Sequence, residues 1–399
     1  MSLPLSAPAL APGSVSPGRS PRIASLDIVR GIAMLLMAID HVRVYSGLPP
    51  GGPTPGIFFT RWITHFVAPT FVFLAGTGIY LHGQKLQRSA ALSTFLLTRG
   101  LWLVLLELTV IRIAWTFNLD FAHYMLAGVI WMIGWCMVLM AALIYLGPVA
   151  NAVGGCAIIA FHNVTNFFPE FMGQLGQTKA GWLWKILYLG GGFELGASGP
   201  PLLVLFVIVP WIGVMMAGYG FGQVMRMPAE RRRRITLRLG TGAVIAFLVL
   251  RTLDVYGDPR HWSGGALSFL GTSKYPASLQ FLLMTLGPMF IGLCFTEGAH
   301  GWLARTLATF GRVPLFYYLL HIPLIHAAAC VVSLIREGAV NPWLFTNHPM
   351  APGPVPDGYT WSLPMLYLVF AIVILLLYFP CRWFAEVKRT NRSDWLSYF

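Results

Sequence analysis

Apolar runs of about 20 residues recur along this chain from Ile28 to Phe379, and each can cross the roughly 30 Å hydrocarbon core of a bilayer. Only 10% of the 399 residues are charged, against about 25% in an ordinary soluble domain. Stretches such as 202–209 are apolar on every face, and the alternating strands of an outer-membrane barrel are missing from the sequence. The sequence therefore predicts an all-α, polytopic transmembrane helical bundle of about ten spans.

The predicted spans follow from apolar windows, of which the fifth is the weakest. They cover residues 25–42, 62–82, 93–116, 123–146, 148–163, 201–223, 235–255, 277–296, 313–335 and 362–381. Lys and Arg accumulate on the cytoplasmic side of short loops, so their distribution tests the orientation. With the N-terminus inside, the inner segments hold fifteen basic residues and the outer segments hold seven. This bias predicts that both termini are cytoplasmic.

One membrane domain is the economical organisation, since the sequence has no solenoid period and no clear inverted repeat. We expect this domain to cover residues 23–384. A disordered cytoplasmic N-terminal tail, rich in Pro, Ser and Ala, is expected at 1–22, and a cytoplasmic C-terminal tail at 385–399. The N-terminal tail lacks the apolar core and cleavage site of a signal peptide, so we expect the first span to direct insertion.

The net charge of +13 does not indicate a nucleic-acid partner, because most Lys and Arg lie at the ends of apolar runs. The five cysteines are scattered singly in apolar segments, without a CxxC pair or a histidine at metal spacing. We therefore expect no disulfide framework, no metal and no nucleic acid. The expected partner is the lipid bilayer, with a homodimer as an open alternative.

Ionisable side chains lie inside the first span, where each costs about 2.5–3.5 kcal/mol on insertion scales and so indicates function. Arg30 and His41 are eleven residues apart, which returns to nearly the same helical face at about 100° per residue. Asp27, three residues before Arg30, can pair with it. The pattern predicts a functional polar stripe on this helix. A purely structural interpretation, in which Arg30 snorkels and His41 caps the helix end, stays open.

Later spans carry polar side chains at comparable depths. By the predicted topology the outer half of the membrane holds Asp40, His41, Arg61, His65, Arg112, Lys274 and His326, and the inner half holds Arg30, Arg99 and Arg312. Asp40 lies about 100° around the helix from His41, so it is expected to pair with Arg43 or Arg61. Such a polar path suits a transported solute, or a long anionic cofactor that enters from the cytoplasm and reacts with an outer acceptor.

Four phrases connect the sequence to a known family. Arg-x-x-Ser-Leu-Asp-x-x-Arg-Gly-x-Ala at 22–33, with His41 at Arg-x10-His spacing, resembles the first-helix signature of the transmembrane acyltransferase superfamily. Trp-Ile-Thr-His-Phe-Val-Ala-Pro at 62–69, Lys-Tyr-Pro-Ala-Ser-Leu at 274–279 and Gly-Arg-Val-Pro-Leu-Phe-Tyr-Tyr-Leu-Leu-His at 311–321 resemble a bacterial branch of it. This branch is related to the catalytic domain of heparan-α-glucosaminide N-acetyltransferase. The resemblance covers residues 22–335 in scattered motifs.

The resemblance implies a membrane enzyme that transfers an acyl group, typically acetyl from cytoplasmic acetyl-CoA, to a sugar or similar hydroxyl or amine acceptor on the outer side. It also implies a bacterial inner (cytoplasmic) membrane. The Arg and His of the family's first helix belong to the active site, and they match Arg30 and His41. The heparan enzyme has Asn at the position of His41 and its working His in the following outer loop. Because residues 46–60 contain no histidine, His65 is a second candidate.

The expected site has three parts. The candidate catalytic residues are His41, as general base or transient acyl carrier, with Asp40 and His65. The residues expected to bind the phosphates of CoA are Arg30, Arg99 and Arg312. The residues expected to stabilise the oxyanion or orient the acceptor are Arg61, Arg112 and Lys274.

Two other classes of function stay open from the residues alone. In a proton-coupled transporter or permease, Asp40, His41, Glu107 and His321 would form a relay without acyl chemistry. A non-catalytic membrane scaffold would show neither turnover nor transport. The Arg-x10-His spacing favours the acyltransferase over both.

Overall fold

The computed structural model describes residues 23–52, 54–86, 89–196, 199–349, 353–391 and 393–398, and within these ranges the chain is mostly helical. The α-helices are α1 (Ala24–Tyr45), α2 (Pro55–Trp62), α3 (Val67–Leu86), α4 (Ser89–Leu106), α5 (Arg112–Thr116), α6 (Val129–Leu143), α7 (Gly147–Phe161), α8 (Pro169–Gln177), α9 (Gly181–Trp184), α10 (Ile208–Met225), α11 (Ala229–Leu253), α12 (Ala266–Leu270), α13 (Leu279–Thr296), α14 (Trp302–Gly311), α15 (Pro314–Glu337) and α16 (Leu363–Thr390). Shorter 3-10 helices occupy Ile63–Phe66, Ile144–Leu146, His162–Phe167, Pro342–Phe345 and Asp394–Tyr398, and π-helices occupy Glu107–Ile111 and Lys185–Leu189.

Eight helical segments of the described chain are long and apolar enough to cross a membrane. They are Pro55–Leu86, Ser89–Thr116, Val129–Phe167, Ile208–Met225, Ala229–Leu253, Leu279–Thr296, Pro314–Glu337 and Leu363–Thr390. The segment Val129–Phe167 turns at Gly147, whose φ of 80° lies in the left-handed region, so it holds both α6 and α7. Helix α1 has 22 residues and packs against α3, α13, α14, α15 and α16. The predicted multi-pass helical membrane architecture is confirmed.

A small sheet departs from the predicted pattern of helices alone. Strands β1 (Met125–Ala127), β2 (Gly191–Glu194) and β3 (Pro201–Val204) pair in the order β1-β3-β2, with β1 parallel and β2 antiparallel to β3. Two predicted spans, 123–146 and 201–223, therefore begin in strands, and their helices start only at Val129 and Ile208. Leu202 and Val204 of β3 are buried, and the sequences of β1 and β3 are as apolar as the helices that follow them.

The first and last helices meet at one end of the bundle. Ile23, just before α1, and Arg389, near the end of α16, line the same cavity. We call this the inner end, because the basic residues of the sequence predict that it faces the cytoplasm. The predicted tail at 1–22 lies outside the described residues. In the region predicted as the C-terminal tail, Leu396 is buried and the Tyr398 hydroxyl lies 2.8 Å from Thr98 Oγ1, so this segment packs on the bundle.

Helix α1 packs close to α14 because each helix presents a glycine to the backbone of the other. A Cβ atom at Gly31 would stand 2.0 Å from the carbonyl oxygen of Leu307, and one at Gly311 would stand 1.8 Å from that of Asp27. Gly218 likewise lets α10 approach α3, where a Cβ would stand 2.1 Å from the carbonyl oxygen of Phe73. Close approach of membrane helices through small residues stabilises the bundle by van der Waals packing.

We expect Gly31→Ala to destabilise the protein by about 2 kcal/mol or more, because the new methyl group overlaps backbone that cannot rotate away. The measurement is the thermal unfolding midpoint in detergent. Gly242→Ala is the matched control, since Gly242 lies in helix α11 with nothing within 4 Å of its added Cβ. Equal midpoints for the two variants would contradict a tight α1–α14 contact.

Candidate functional site

A cavity of about 1950 Å³ lies at the inner end between α1, α3, α4, α6 and α14 to α16, and we call it the inner cavity. Its volume exceeds the roughly 300–1,000 Å³ of pockets that hold drug-sized ligands. The basic residues that line it are Arg30, Lys85, Arg99, Arg226, Arg232, Arg305, Arg312, Arg382, Lys388 and Arg389. Acidic lining residues are Asp27 and Glu386. The cavity therefore has a strong excess of positive charge and suits an extended anionic ligand.

The structure brings the three arginines that were expected to bind phosphate to this one cavity. Arg30 Nη1 lies 3.4 Å from Asp27 Oδ1 and donates a 3.3 Å hydrogen bond to the carbonyl of Gly311. Arg312 Nε lies 3.7 Å from Asp27 Oδ2. Arg99 lines the cavity from α4, with its guanidinium over the ring of Phe95. Asp27 thus holds two of the three guanidinium groups in place beside the cavity.

The cavity becomes apolar with depth and ends beside two histidines. On α1 the lining residues Arg30, Met34 and Met37 follow one helical face, and His41 stands on the next turn of that face. On α15 the lining residue Tyr318 is followed one turn later by His321. The predicted Arg30–His41 stripe is thus the wall of a cavity, with His41 just beyond its deep end.

The side chains of His41 and His321 are hydrogen-bonded to each other. His41 Nδ1 lies 2.7 Å from His321 Nε2, and the two rings are stacked with centroids 4.8 Å apart. The ring of Trp115 packs edge-on against His41 at 4.6 Å, and Tyr318 packs edge-on against both histidines. His321 is fully buried, whereas His41 is half-buried and its Nε2 takes no part in the contact with His321.

Asp40 is the centre of a charged group on the outer side of His41. Its Oδ1 accepts a 3.0 Å hydrogen bond from Arg43 Nε, and its Oδ2 accepts one from Arg61 Nη1. Arg43 also donates to the carbonyl of Leu48 at 3.0 Å. The expected pairing of Asp40 with Arg43 or Arg61 is therefore present with both arginines. Each carboxylate oxygen is occupied, which makes Asp40 a structural counter-ion to two buried cations.

Lys274 and His65 complete the outer cluster, which we define as Asp40, Arg43, Arg61, His65 and Lys274. Burial lowers the pKa of the Lys274 ammonium below its ordinary value, and the nearby charge of Arg61 adds to this effect. Its Nζ lies over the rings of Phe206 and Tyr275, at 5.7 and 5.2 Å.

Two contacts define the surroundings of these residues. His65 lies near Arg61 and Lys274 and packs edge-on against Phe281, with centroids 5.6 Å apart. Asp258 Oδ2 accepts hydrogen bonds from Ser273 N at 2.8 Å and Ser278 Oγ at 2.6 Å, so it fixes the loop that carries Lys274. The outer cluster holds three cations against one carboxylate, so it can stabilise a negative charge that develops beside His41.

Arg112 lies apart from the outer cluster, although its depth was expected to place it there. Its Nε donates to the carbonyl of Tyr124 at 3.3 Å, and its Nη1 donates to Thr116 Oγ1 at 2.9 Å and to Asn118 Oδ1 at 2.6 Å. Its Nη2 donates to the carbonyl of Asp120. Every guanidinium nitrogen is occupied by the 116–124 loop, and these contacts favour a structural role for Arg112 over acceptor binding.

The side chain of Glu107 caps the N-terminus of helix α6. Its Oε2 accepts a 3.2 Å hydrogen bond from the backbone N–H of Ile130, in the first turn of α6. Free N–H groups and the positive end of the helix dipole favour a carboxylate at this place. The transporter alternative placed Glu107 in a proton relay, whereas in the structure its carboxylate caps helix α6.

His321, Trp115 and Tyr318 were absent from the predicted acyltransferase site. His321 and Tyr318 stand three residues apart in the phrase Tyr-Tyr-Leu-Leu-His, which places them on one helical face. That spacing was a usable signal for a pair on α15. The transporter alternative grouped His321 with His41, but no pattern in the sequence indicated that the two rings are in contact, since 280 residues separate them.

We expect Asp40→Asn to lower stability by about 3 kcal/mol, because it leaves Arg43 and Arg61 without their counter-charge. The thermal midpoint in detergent measures the loss. Glu386→Gln is the matched control: Glu386 pairs with Arg389 at the same three-residue spacing as Asp40 with Arg43, but both partners are exposed, so its midpoint should hardly change. Similar midpoints for the two variants would mean that Asp40 does not hold the outer cluster together.

Comparison with known proteins identifies the family of the chain. A search of curated proteins gave no match. The family model for the catalytic region of heparan-alpha-glucosaminide N-acetyltransferase matches residues 22–257, more than half of the chain. The matched region contains helix α1 with Arg30 and His41, and much of the wall of the inner cavity. The chain therefore belongs to the family of the heparan-alpha-glucosaminide N-acetyltransferase catalytic domain, a family of membrane acetyltransferases.

Proposed function

We propose that this protein transfers an acetyl group from acetyl-CoA, bound in the inner cavity, to a hydroxyl or amine acceptor at the outer cluster. One observation carries the proposal: the basic inner cavity ends beside His41, and the outer cluster begins on its other side at Asp40. A donor from one face of the membrane and an acceptor from the other would meet at a single histidine. The family name supports an amino sugar as the acceptor class.

The donor would lie along the stripe of α1. Arg30, Arg99 and Arg312 would hold phosphate oxygens by charge-assisted hydrogen bonds, which suit guanidinium groups. Met34 and Met37 would pack against the uncharged arm that carries the thioester. This order of charged mouth and apolar depth matches a ligand with phosphates at one end and a neutral reactive group at the other.

His41 would act as the general base through Nε2, the ring nitrogen that does not face His321. It would take the proton from the acceptor as the acceptor oxygen or nitrogen attacks the thioester carbonyl carbon. The carbon–sulfur bond then breaks, and the imidazolium of His41 returns the proton to the departing thiolate. Atoms and charges balance, and the histidine is neutral again at the end.

Arg61 and Lys274 would act on the acceptor side. Their positive charges would stabilise the oxyanion that forms when the acceptor attacks, a contribution that is often the largest in acyl transfer. Asp40 would hold Arg61 in position through its ion pair. A bacterial inner membrane, with the inner cavity facing the cytoplasmic pool of acetyl-CoA, is the proposed location.

We expect Arg30→Ala to weaken acetyl-CoA binding about tenfold, and His41→Ala to bind acetyl-CoA normally while losing at least about 100-fold in turnover. The assays are equilibrium binding of acetyl-CoA and thiol release with glucosamine as the acceptor probe, with protein in lipid nanodiscs. Arg238→Ala is the control for Arg30, because Arg238 is exposed on α11 and does not line the cavity.

Two results would overturn this proposal. If folded wild-type protein binds no acetyl-CoA, the inner cavity is not a donor site. If His41→Ala keeps wild-type turnover, both with glucosamine and in slow hydrolysis of acetyl-CoA, His41 is not the base. Loss of donor binding in the Arg238 variant, equal to that in the Arg30 variant, would reduce the effect to general surface charge.

We expect Lys274→Gln to lower kcat about tenfold or more without changing the affinity for acetyl-CoA, because it removes a charge from the acceptor side only. The measurement combines steady-state kinetics with the binding assay above. Lys179→Gln is the control, since Lys179 is an exposed lysine outside the cluster. Weaker acetyl-CoA binding in the Lys274 variant would contradict the separation of donor and acceptor sides.

A further inference from the structure

The hydrogen bonds of His321 determine which of its nitrogens carries the proton. Its Nδ1 lies 2.7 Å from the carbonyl oxygen of Tyr318 and 3.1 Å from that of Tyr317. A carbonyl oxygen only accepts hydrogen bonds, so His321 Nδ1 must be the protonated nitrogen. A full charge on this buried ring would have no carboxylate beside it among its observed contacts, which favours the neutral ring. His321 Nε2 is then an acceptor.

The tautomer of His321 determines the tautomer of His41. Because His321 Nε2 accepts, His41 Nδ1 must donate across the 2.7 Å contact. A neutral His41 ring with its proton on Nδ1 has its lone pair on Nε2. The backbone of α15 therefore selects, through one intervening histidine, the tautomer of His41 that can accept a proton from a substrate.

We infer that His321 is a positioning residue for the acetyl transfer, fixing the ring orientation and the tautomer of His41 so that Nε2 is the base. The inference rests on the proposed function of His41 and adds a residue that the family match does not reach, since that match ends at residue 257. When His41 takes a proton, its Nδ1–H becomes a charge-assisted donor to Nε2 of His321. The pair therefore also stabilises the transient imidazolium of His41.

A second contact keeps the two helices in register for this pair. The Tyr317 hydroxyl donates a 3.0 Å hydrogen bond to the carbonyl of Met34 on α1, and the Tyr317 ring stacks on His321 with centroids 5.1 Å apart. Tyr317 is fully buried. The histidine pair is thus held from two sides: by backbone carbonyls at Nδ1 of His321 and by a cross-helix bond one turn away.

His326 supplies a matched comparison on the same helix. It is also fully buried, and its Nδ1 also faces a backbone carbonyl, that of Ala114 at 3.3 Å. Its ring stacks on Phe117 and Tyr45 and does not bond His41. Replacement of His326 therefore tests the loss of a buried histidine from α15 without loss of the acceptor for His41.

The experiment measures acetyl transfer by His321→Leu, His321→Gln and His326→Gln in nanodiscs. The reference is the wild-type protein in the same nanodiscs. Leu removes the acceptor at a similar volume, and the side-chain oxygen of Gln can occupy the place of Nε2. We expect His321→Leu to lose about 100-fold in kcat with an unchanged KM for acetyl-CoA. We expect His321→Gln to recover to within about tenfold of wild type, and His326→Gln to stay within about threefold.

The alternatives are distinguishable. Wild-type kcat in His321→Leu, equal losses in the Leu and Gln variants, or an equal loss in His326→Gln would each overturn the positioning role. Equal thermal midpoints for the His321 and His326 variants show that a difference in kcat between them does not come from a difference in stability.

A readout independent of turnover separates this inference from the proposed function. In protein labelled with ¹⁵N-histidine, we expect NMR to show His41 protonated at Nδ1 and a coupling across the hydrogen bond to His321 Nε2. If the coupling is present but wild type transfers no acetyl group, the pair stands and the acetyltransferase proposal fails. If His41 is protonated at Nε2 in an active enzyme, the positioning role fails alone.

Discussion

Helix α1 can lie in the middle of this bundle only because both of its ends neutralise their charges in the same way. At the inner end Asp27 lies within 3.4 Å of Arg30 and 3.7 Å of Arg312, and at the outer end Asp40 holds two further arginines. Burying an unpaired charge costs several kcal/mol, so these carboxylates make the helix tolerable in a membrane protein. Between them, one face of α1 carries Arg30, two methionines and then His41. The proposed site extends along this face.

The histidine pair lies where the two sides of the site approach each other, and its surroundings favour chemistry over transport. A proton relay needs acceptor atoms that are free to exchange protons along a chain. Asp40 has an arginine on each carboxylate oxygen, and Glu107 binds the backbone at the start of α6. Only His41 and His321 of the four relay candidates bond each other. A pair in which one histidine is fixed by backbone carbonyls and the other is half-buried suits a single proton acceptor better than a chain.

The periodicity of α1 made the shared face of Arg30 and His41 predictable, because a helix of known register fixes which side chains share a face. It could not predict His321 as the partner of His41, since that contact depends on how two helices 280 residues apart pack. Arg112 shows a related limit: its depth follows from the sequence, but the direction of its side chain follows from the loop it binds. Strands β1 and β3 were hidden because their apolar residues continue directly into α6 and α10, and an apolar window does not distinguish a short buried strand from a helix.

Two histidines competed for the role of base, and their surroundings separate them. Asp40, Arg61 and Lys274 act on both histidines. Arg61 and Lys274 are the larger influence on His65 and would repel the positive charge that a base acquires when it takes a proton, whereas the Asp40 carboxylate is the larger influence on His41. His41 adjoins the Asp40 carboxylate in the chain and donates its Nδ1–H to a neutral ring, so its positive form gains a stronger hydrogen bond. His41 also stands one turn beyond the last lining residue of α1, whereas His65 lies among the cations of the outer cluster. Geometry and electrostatics therefore favour His41 over His65 as the base of the proposed acetyl transfer, with His65 on the acceptor side.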